Sequence, residues 1–455
     1  MRYVSTRGGA PDADFSEVLL RGIAPDGGLY MPAFWPSFDV AELKALPYPD
    51  LTRRILKAFV GDSLPACAID SAVARLIASF SGGEVAPLVE LDPGLYLLEL
   101  FHGPTAAFKD VAMQMMAPLT DAALAARSEQ LLLLTATSGD TGAAAVRAFA
   151  GAQRVRLVVL HPLNRVSPVQ RRQMTTSGSD TVLNLAVRGD FDDCQALIKT
   201  LLADAVLRAA TLVSSVNSIN WGRLAGQIPY YISAAGQTGG EPGFVVPTGN
   251  FGDAFAGVAA RRLGLKGRLT AAVNANDALA RALNGGVYAR TLATPTSSVS
   301  MDVQAPSNFE RLVFEASGRD AQRTAGLFRA FAEHGRVAID PDLLQALRDE
   351  VDAVSVSEEA TQDTMREAYA RWARVICPHT AVALAAALRR KGGGPIVALA
   401  TAHPAKFPQA VHRALGFEPQ QPPSFAAMAD HPERFSVVDA DAIAVRAAVE
   451  RFQRT

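Results

Sequence analysis

The stretch LLLLTATSGDTGAAAVRAFA, residues 131–150, sets the rhythm of the chain. Four leucines without a polar partner predict a strand covered on both faces, as in a parallel sheet. A polar, glycine-containing break follows, then an alanine-rich helix. The same rhythm recurs. LYLLEL (95–100) predicts a strand, with a helix from about Asp110. VRLVVL (155–160) and TVLNLAV (181–187) predict strands, with a helix from Asp192. TLVSSV (211–216) precedes a helix from about Trp221. GFVVP (243–247) runs through TGNFGD into the helix AFAGVAARRL. LTAAVN (269–274) and PIVALAT (395–401) complete the set. Strands alternating with helices define an α/β protein with mostly parallel sheets.

Other segments break the rhythm. Residues 1–88 read as a separate N-terminal unit: a turn-rich RGIAPDGGLYMP, then helical periodicity over 41–60 and 69–80, then the punctuating SGGEVAP. Residues 89–455 form the α/β region, divided into a smaller part at roughly 115–235 and a larger part from the flanking segments. Residues 291–311, rich in Ser, Thr and Pro, predict a loop, and 319–375 predict helix.

In open parallel sheets, ligands sit beyond the carboxyl ends of the strands. SGDTG, TGNFGD and TAHP fall there. In TGNFGD, Gly249 and Gly252 flank Asn250 and Phe251 between strand and helix, which suits a phosphate held by backbone N–H groups. An ordinary turn with a glycine-rich cap has the same pattern. No Walker loop or dinucleotide fingerprint is present. In TATSGDTG, Thr137, Ser138 and Thr141 crowd hydroxyls around Gly139 and Gly142, an arrangement suited to a carboxylate. Helix capping by Ser138 or Asp140 is the simpler alternative. Lys109 falls near the first turn of a helix, where the positive dipole end favours the neutral amine that Schiff-base chemistry needs. A solvated lysine paired with Asp110 or Glu99 is the alternative. A phosphate cradle, a carboxylate loop and a lysine at a helix start are together the parts of a pyridoxal phosphate site.

The long motifs sharpen this. FHGPTAAFKD, TATSGDTGAAA, SINWGRLAGQIPYY, PTGNFGDAFAG, SMDVQAPSNFERLVF, CPHTAVA and LATAHPAKFP resemble, in this order, the motifs of threonine synthases, fold-type-II pyridoxal-phosphate enzymes. YVSTRG and DGGLYMP resemble that family's N-terminal portion. The resemblance covers nearly the whole chain. It implies two parallel-sheet α/β domains behind an N-terminal domain, and pyridoxal 5'-phosphate as the cofactor.

It also implies roles. Lys109 is the catalytic lysine that carries the cofactor. Gly249, Asn250, Phe251, Gly252 and Asp253 form the cofactor phosphate site, and Thr401 faces the ring nitrogen. Asp253 is awkward beside a dianion unless it caps the helix or offers its N–H. Thr137, Ser138, Gly139, Asp140 and Thr141 hold the substrate carboxylate. Ser307, Asn308, Arg311, His379 and Thr380 are candidates for the substrate phosphate, with a Glu310–Arg311 surface pair as the bland alternative. Asn217 and Arg223 are compatible with orienting substrate, and Lys406 with a second cation or a surface charge. The implied reaction converts O-phospho-L-homoserine and water to L-threonine and phosphate. A phospholyase releasing 2-oxobutyrate, or a non-catalytic binding module, would share these motifs.

Charge and composition narrow the setting. A formal net charge of -1 argues against a broad nucleic-acid surface. No apolar run reaches about 18 residues, so no membrane-spanning helix is expected. The opening MRYVSTRGGAPDADF lacks the apolar core of a signal peptide. Cys67, Cys194 and Cys377 are too few and too dispersed for a disulfide framework or a metal cluster, which fits a reducing cytoplasm. The expected partner is a small-molecule substrate, without nucleic acid or membrane, for a monomer or small homo-oligomer.

Overall fold

The computed structural model describes residues 1–137, 139–390, 393–426, 428 and 430–454. Two sheets organise the α/β region. The larger has six strands in the order Asp352–Ser355, Leu269–Val273, Gly243–Pro247, Ile396–Ala400, Leu95–Glu99 and Leu88–Asp92. All neighbours are parallel except the last pair, an antiparallel hairpin. The smaller has five parallel strands in the order Ser436–Asp439, Val182–Arg188, Val155–Pro162, Leu131–Ala136 and Leu212–Ser215.

The leucine run explains why helices cover both faces of the smaller sheet. Leu131 and Leu133 point into the large core shared with the N-terminal unit. Leu132 and Leu134 point into a second cluster on the opposite face, with Cys194, Leu197, Ile198 and Val445. A period of two in a strand with no polar positions leaves no face for water. The larger sheet behaves alike: Phe244 and Val246 face one cluster, Val245 the other.

Two assignments change. The smaller sheet is not confined to 115–235, because Ser436–Asp439 pairs with Val182–Arg188 and the helix Ala442–Arg454 packs beside it. Only distant pairing reveals that edge strand, since SVVD is too short to signal it. Within 319–375, the helices Ala321–His334, Pro341–Glu350 and Glu358–Trp372 are interrupted by the strands Arg336–Ala338 and Asp352–Ser355. The second of these is an edge of the larger sheet.

The N-terminal unit carries a three-stranded antiparallel sheet with Arg2–Ser5 at its centre, beside Ala13–Asp14 and Tyr30–Pro32. Its helix Tyr48–Val60 presents Leu51, Ile55, Leu56 and Phe59 on one buried face. That face meets the helix Trp221–Gln237, where the fully buried Trp221 lies 5.5 Å from the Phe59 ring, 5.8 Å from Trp35 and 6.1 Å from Tyr3. One core therefore runs from the N-terminal unit into the α/β region. Among the described residues, no helix is long and apolar enough to cross a membrane.

Candidate active site

A cavity of about 600 Å³ opens between the carboxyl ends of the two sheets. Three helices begin at it without a side-chain cap: Lys109–Arg127, Asp140–Phe149 and Gly252–Arg262. Their first-turn N–H groups have no partner within the helix and their positive ends converge on one volume. Capping side chains are common elsewhere in the chain, as at Asp14, Ser167 and Asp190. Thr137 Oγ1 takes Gly142 N–H, and the Ala107 and Phe108 carbonyls take Asp110 and Val111 N–H, so the donors offered to a ligand are the opening N–H groups of Asp140–Phe149 and Gly252–Arg262.

Lys109 is the first residue of its helix and lines the cavity, its side chain 12% exposed. The preceding loop is fastened to the strand end opposite. Phe108 N–H donates to the Thr401 carbonyl at 2.8 Å, and His403 N–H to the Ala106 carbonyl at 3.0 Å. Asp110 clasps the loop from below, accepting from the N–H and hydroxyl of Thr105. Asp110 is therefore not a partner of Lys109. The Lys109 Nζ lies 3.2 Å from Asp140 Oδ2 and 4.8 Å from the centre of the Phe108 ring. Burial lowers the Lys109 pKa, Asp140 opposes, and the charges of Lys406 and Arg223 add to the depression.

Lys406 is fully buried and is not a surface charge. Its Nζ lies 2.9 Å from Asp140 Oδ1 and donates to the Thr105 carbonyl at 2.7 Å. Gln170 donates to the same Asp140 oxygen at 3.0 Å. Burial alone would raise the Asp140 carboxyl; Lys406, then Lys109, and hydrogen bonds from Lys406 and Gln170 hold it well below the usual range.

The glycine-containing loop after Gly243–Pro247 lies on the cavity. Gly249, Asn250, Phe251, Gly252 and Asp253 all line the cavity. A Cβ on Gly249 would lie 2.5 Å from the Ser300 carbonyl oxygen, so only glycine lets the two loops meet. Phe251 takes a left-handed conformation with φ 61° to turn the chain into the helix. The Asn250 side chain is committed at both ends: it donates to Ser218 Oγ at 2.8 Å and accepts from Ser307 N–H at 2.9 Å. The loop's remaining assets are its backbone N–H groups. Asp253 accepts from the hydroxyls of Tyr230 and Tyr231. Burial raises its pKa to about 6, against the hydrogen bonds from both tyrosines and the charges of Lys109 and Arg223. Its other oxygen has no partner. Thr401 lines the same cavity at the end of Ile396–Ala400.

The substrate candidates divide. Asp140, Thr141, Ser307 and His379 line the cavity. Thr137 sits behind it, its hydroxyl accepting from Gly139 and Gly142 N–H at 2.9 Å each, which shapes the turn. Ser138 lies outside the described residues. Asn308, Arg311 and Thr380 face away. Arg311 is wholly buried and donates to the carbonyls of Tyr30 and Ile219 and to Asn308. A guanidinium satisfied by backbone carbonyls in the core cannot reach a phosphate in the cavity. Nor is it half of a surface pair, since the adjacent Glu310 binds Arg7. Asn308 donates to Ser218 and Asn250 carbonyls, and Thr380 contacts Cys377 Sγ. His379 accepts from Ser300 N–H at 3.3 Å. Burial, helped by the charges of Lys109 and Lys406 and opposed by Asp140, lowers its pKa to about 4, so it stands neutral.

Some cavity residues carry no sequence signal. Phe191, Gln195, Ile198, Lys199 and Leu202 line the mouth from the helix Phe191–Ala203. Their i, i+4, i+7, i+8 spacing marks one helix face, but the residue types share no chemistry. Arg223 is buried on the cavity with its Nε unpartnered, and Asn217 lies nearby on the lining.

These residues fit pyridoxal phosphate: an amine with a depressed pKa, a glycine-dependent cradle at an uncapped helix start, and a strand-end hydroxyl line one volume. Residues 82–402 match the family model "Pyridoxal-phosphate dependent enzyme", and the chain belongs to that class. Residues 2–76 match "Threonine synthase N terminus" and 380–449 "Threonine synthase, C-terminal". Threonine synthase of Pseudomonas aeruginosa is 42% identical over 99% of this chain and 98% of its own. That of Saccharomyces cerevisiae is 35% identical over 91% and 89%. The crystal structure of PLP-bound threonine synthase from Brucella melitensis superposes with a TM-score of 0.97 at 43% identity, covering both chains fully. This chain belongs to the threonine synthase family.

Proposed function

We propose that the protein converts O-phospho-L-homoserine and water to L-threonine and inorganic phosphate in this cavity. The carrying observation is the Lys109 amine, depressed by burial, opposite a phosphate cradle in one enclosed volume. Lys109 would hold pyridoxal phosphate covalently, the N–H groups of 249–253 its phosphate, and the Thr401 hydroxyl its ring nitrogen. Bound there, the cofactor supplies an electron sink for carbanions next to an amino acid's nitrogen.

The chain's own groups do the rest. The Lys109 amine takes the proton from the substrate Cα, then one from Cβ as phosphate leaves Cγ, delivers a proton to Cγ, and returns one to Cα after water has added at Cβ, the water's own proton leaving with the phosphate. Asp140 tethers that amine, and Lys406 neutralises the carboxylate so that it does not repel the substrate's. The N–H groups opening the helix Asp140–Phe149, with Thr141, receive the substrate carboxylate. Ser307 offers a hydrogen bond to the substrate phosphate, and Arg223 supplies the guanidinium that Arg311 cannot. Approach of the two sheets across the cavity would exclude bulk water until phosphate has left Cγ and one water has added at Cβ. We place the reaction in the cytoplasm, in a monomer or small homo-oligomer acting on a small molecule without nucleic acid.

The test is a product balance. Purified protein loaded with pyridoxal phosphate receives O-phosphohomoserine, and phosphate, threonine and 2-oxobutyrate are followed separately. Phosphate with equimolar threonine is expected. Phosphate with 2-oxobutyrate alone would replace this reading with a phospholyase.

A further inference from the structure

The motif YVSTRG has no residue in the cavity, yet it is bonded to the cavity's edge. Arg7 grips Glu310 with two prongs, Nε to Oε1 at 3.0 Å and Nη2 to Oε2 at 2.8 Å. The Thr6 hydroxyl donates to the same Oε1 at 2.7 Å and accepts from Leu29 N–H at 2.8 Å. Next in sequence, Arg311 donates to the Tyr30 carbonyl from Nε at 3.1 Å and Nη2 at 3.0 Å, and to Asn308 Oδ1 from Nη1. Asn308 in turn donates to the Asn250 carbonyl, from its side chain at 3.0 Å and its N–H at 3.2 Å. An unbroken set of bonds thus runs from the backbone of the N-terminal unit to the middle of the phosphate loop.

We propose that the N-terminal unit sets the cavity's affinity for the cofactor, with Arg7, Glu310, Arg311 and Asn308 as positioning residues for the loop at Asn250. This rests on reading 249–253 as the cofactor's phosphate cradle. Backbone N–H groups bind an anion well only when already aligned. The loop needs outside support to stay so, because Phe251 sits at φ 61°, a conformation that non-glycine residues adopt at a cost. Fastening the loop before the cofactor arrives removes that ordering from the binding step. The bidentate Arg7–Glu310 pair is a strong point of attachment, since its charged donors and planar fork match the carboxylate. Glu310 is nearly buried and lies in the first turn of the helix Phe309–Ala316, two residues from Asn308.

The experiment titrates full-length, cofactor-stripped protein with pyridoxal phosphate, following the visible absorbance change. Parent, Arg7→Ala, Asn308→Ala and the double variant are compared, with thermal melts of each stripped protein. Arg7→Ala is expected to weaken binding about tenfold, within the range for residues that modulate a site without touching its ligand. The double variant is expected to be no weaker than Asn308→Ala alone, because Arg7 and Glu310 reach the loop only through the helix start that Asn308 joins to Asn250. Arg7→Gln, which keeps a hydrogen-bonding side chain and disturbs the fold least, is expected to weaken binding while its stripped melt stays at the parent's. Parent-like affinity in the Arg7 variants, or losses that add in the double variant, overturns the proposal. A parent that fails to bind pyridoxal phosphate at all would overturn the cradle reading instead.

Discussion

Asp140 divides its carboxylate between two lysines, Oδ1 lying 2.9 Å from Lys406 Nζ and Oδ2 3.2 Å from Lys109 Nζ. The division weakens the hold of Asp140 on Lys109. A carboxylate serving Lys109 alone would stabilise its ammonium and silence it as a base. The second cation draws on the same carboxylate and adds its own repulsion, so burial prevails and the Lys109 pKa falls. Lys406 itself contacts Asp140 and the Thr105 carbonyl within the protein.

Removing the shared anion should be costly. Asp140→Ala leaves Lys406 buried with no counter-ion and is expected to destabilise the protein by about 3–5 kcal/mol. Equilibrium denaturation in urea measures this. A loss below about 1 kcal/mol would show that the pair is better solvated than its burial implies.

Lys109→Ala should separate chemistry from folding. The side chain lines the cavity at a helix start and its loss leaves the Asp140–Lys406 pair intact. The variant is expected to keep a native circular dichroism spectrum while losing the visible absorbance of lysine-bound cofactor and threonine formation. Threonine formed at the parent rate would end the assignment of Lys109.

Gly249→Ala tests the cradle. The added methyl would lie 2.5 Å from the Ser300 carbonyl oxygen, a backbone atom with little room to give. Overpacking of this kind costs about 1–3 kcal/mol, so pyridoxal phosphate binding should weaken about tenfold or more. Equilibrium dialysis against the cofactor reads it.

Asp253 gives a pH signature. Its folded pKa, raised to about 6 chiefly by burial, exceeds that of an unfolded carboxyl. Between the two values the folded state binds more protons, so this group's contribution to stability falls as pH rises through that window. Above it the buried carboxylate costs on the order of 2–3 kcal/mol. Asp253→Asn keeps an acceptor for Tyr230 and Tyr231 without the charge. In cofactor-stripped protein it is expected to gain on the parent from pH 4 to pH 7, read from melts across that range. A constant difference between the two proteins would refute it.

Much of this was legible in the chain alone. Local chemistry fixed the strands, because a run such as LLLL tolerates no wet face. It also marked the glycine loops at their ends, where a side chain at Gly249 would meet nearby backbone. The motif order marked the family and its lysine. Long-range packing decided the rest. Arg311 and Arg223 are the same residue type a turn or less into their helices, yet one is spent on the carbonyls of Tyr30 and Ile219 and the other lines the cavity. Lys406 reads either as a second cation or as a surface charge until the fold buries it on an aspartate 266 positions earlier in the chain. The strand SVVD has no sheet until Val182–Arg188 lies beside it. Sequence carries residue type and spacing; which donors remain free depends on partners hundreds of residues away, and only the assembled core supplies those.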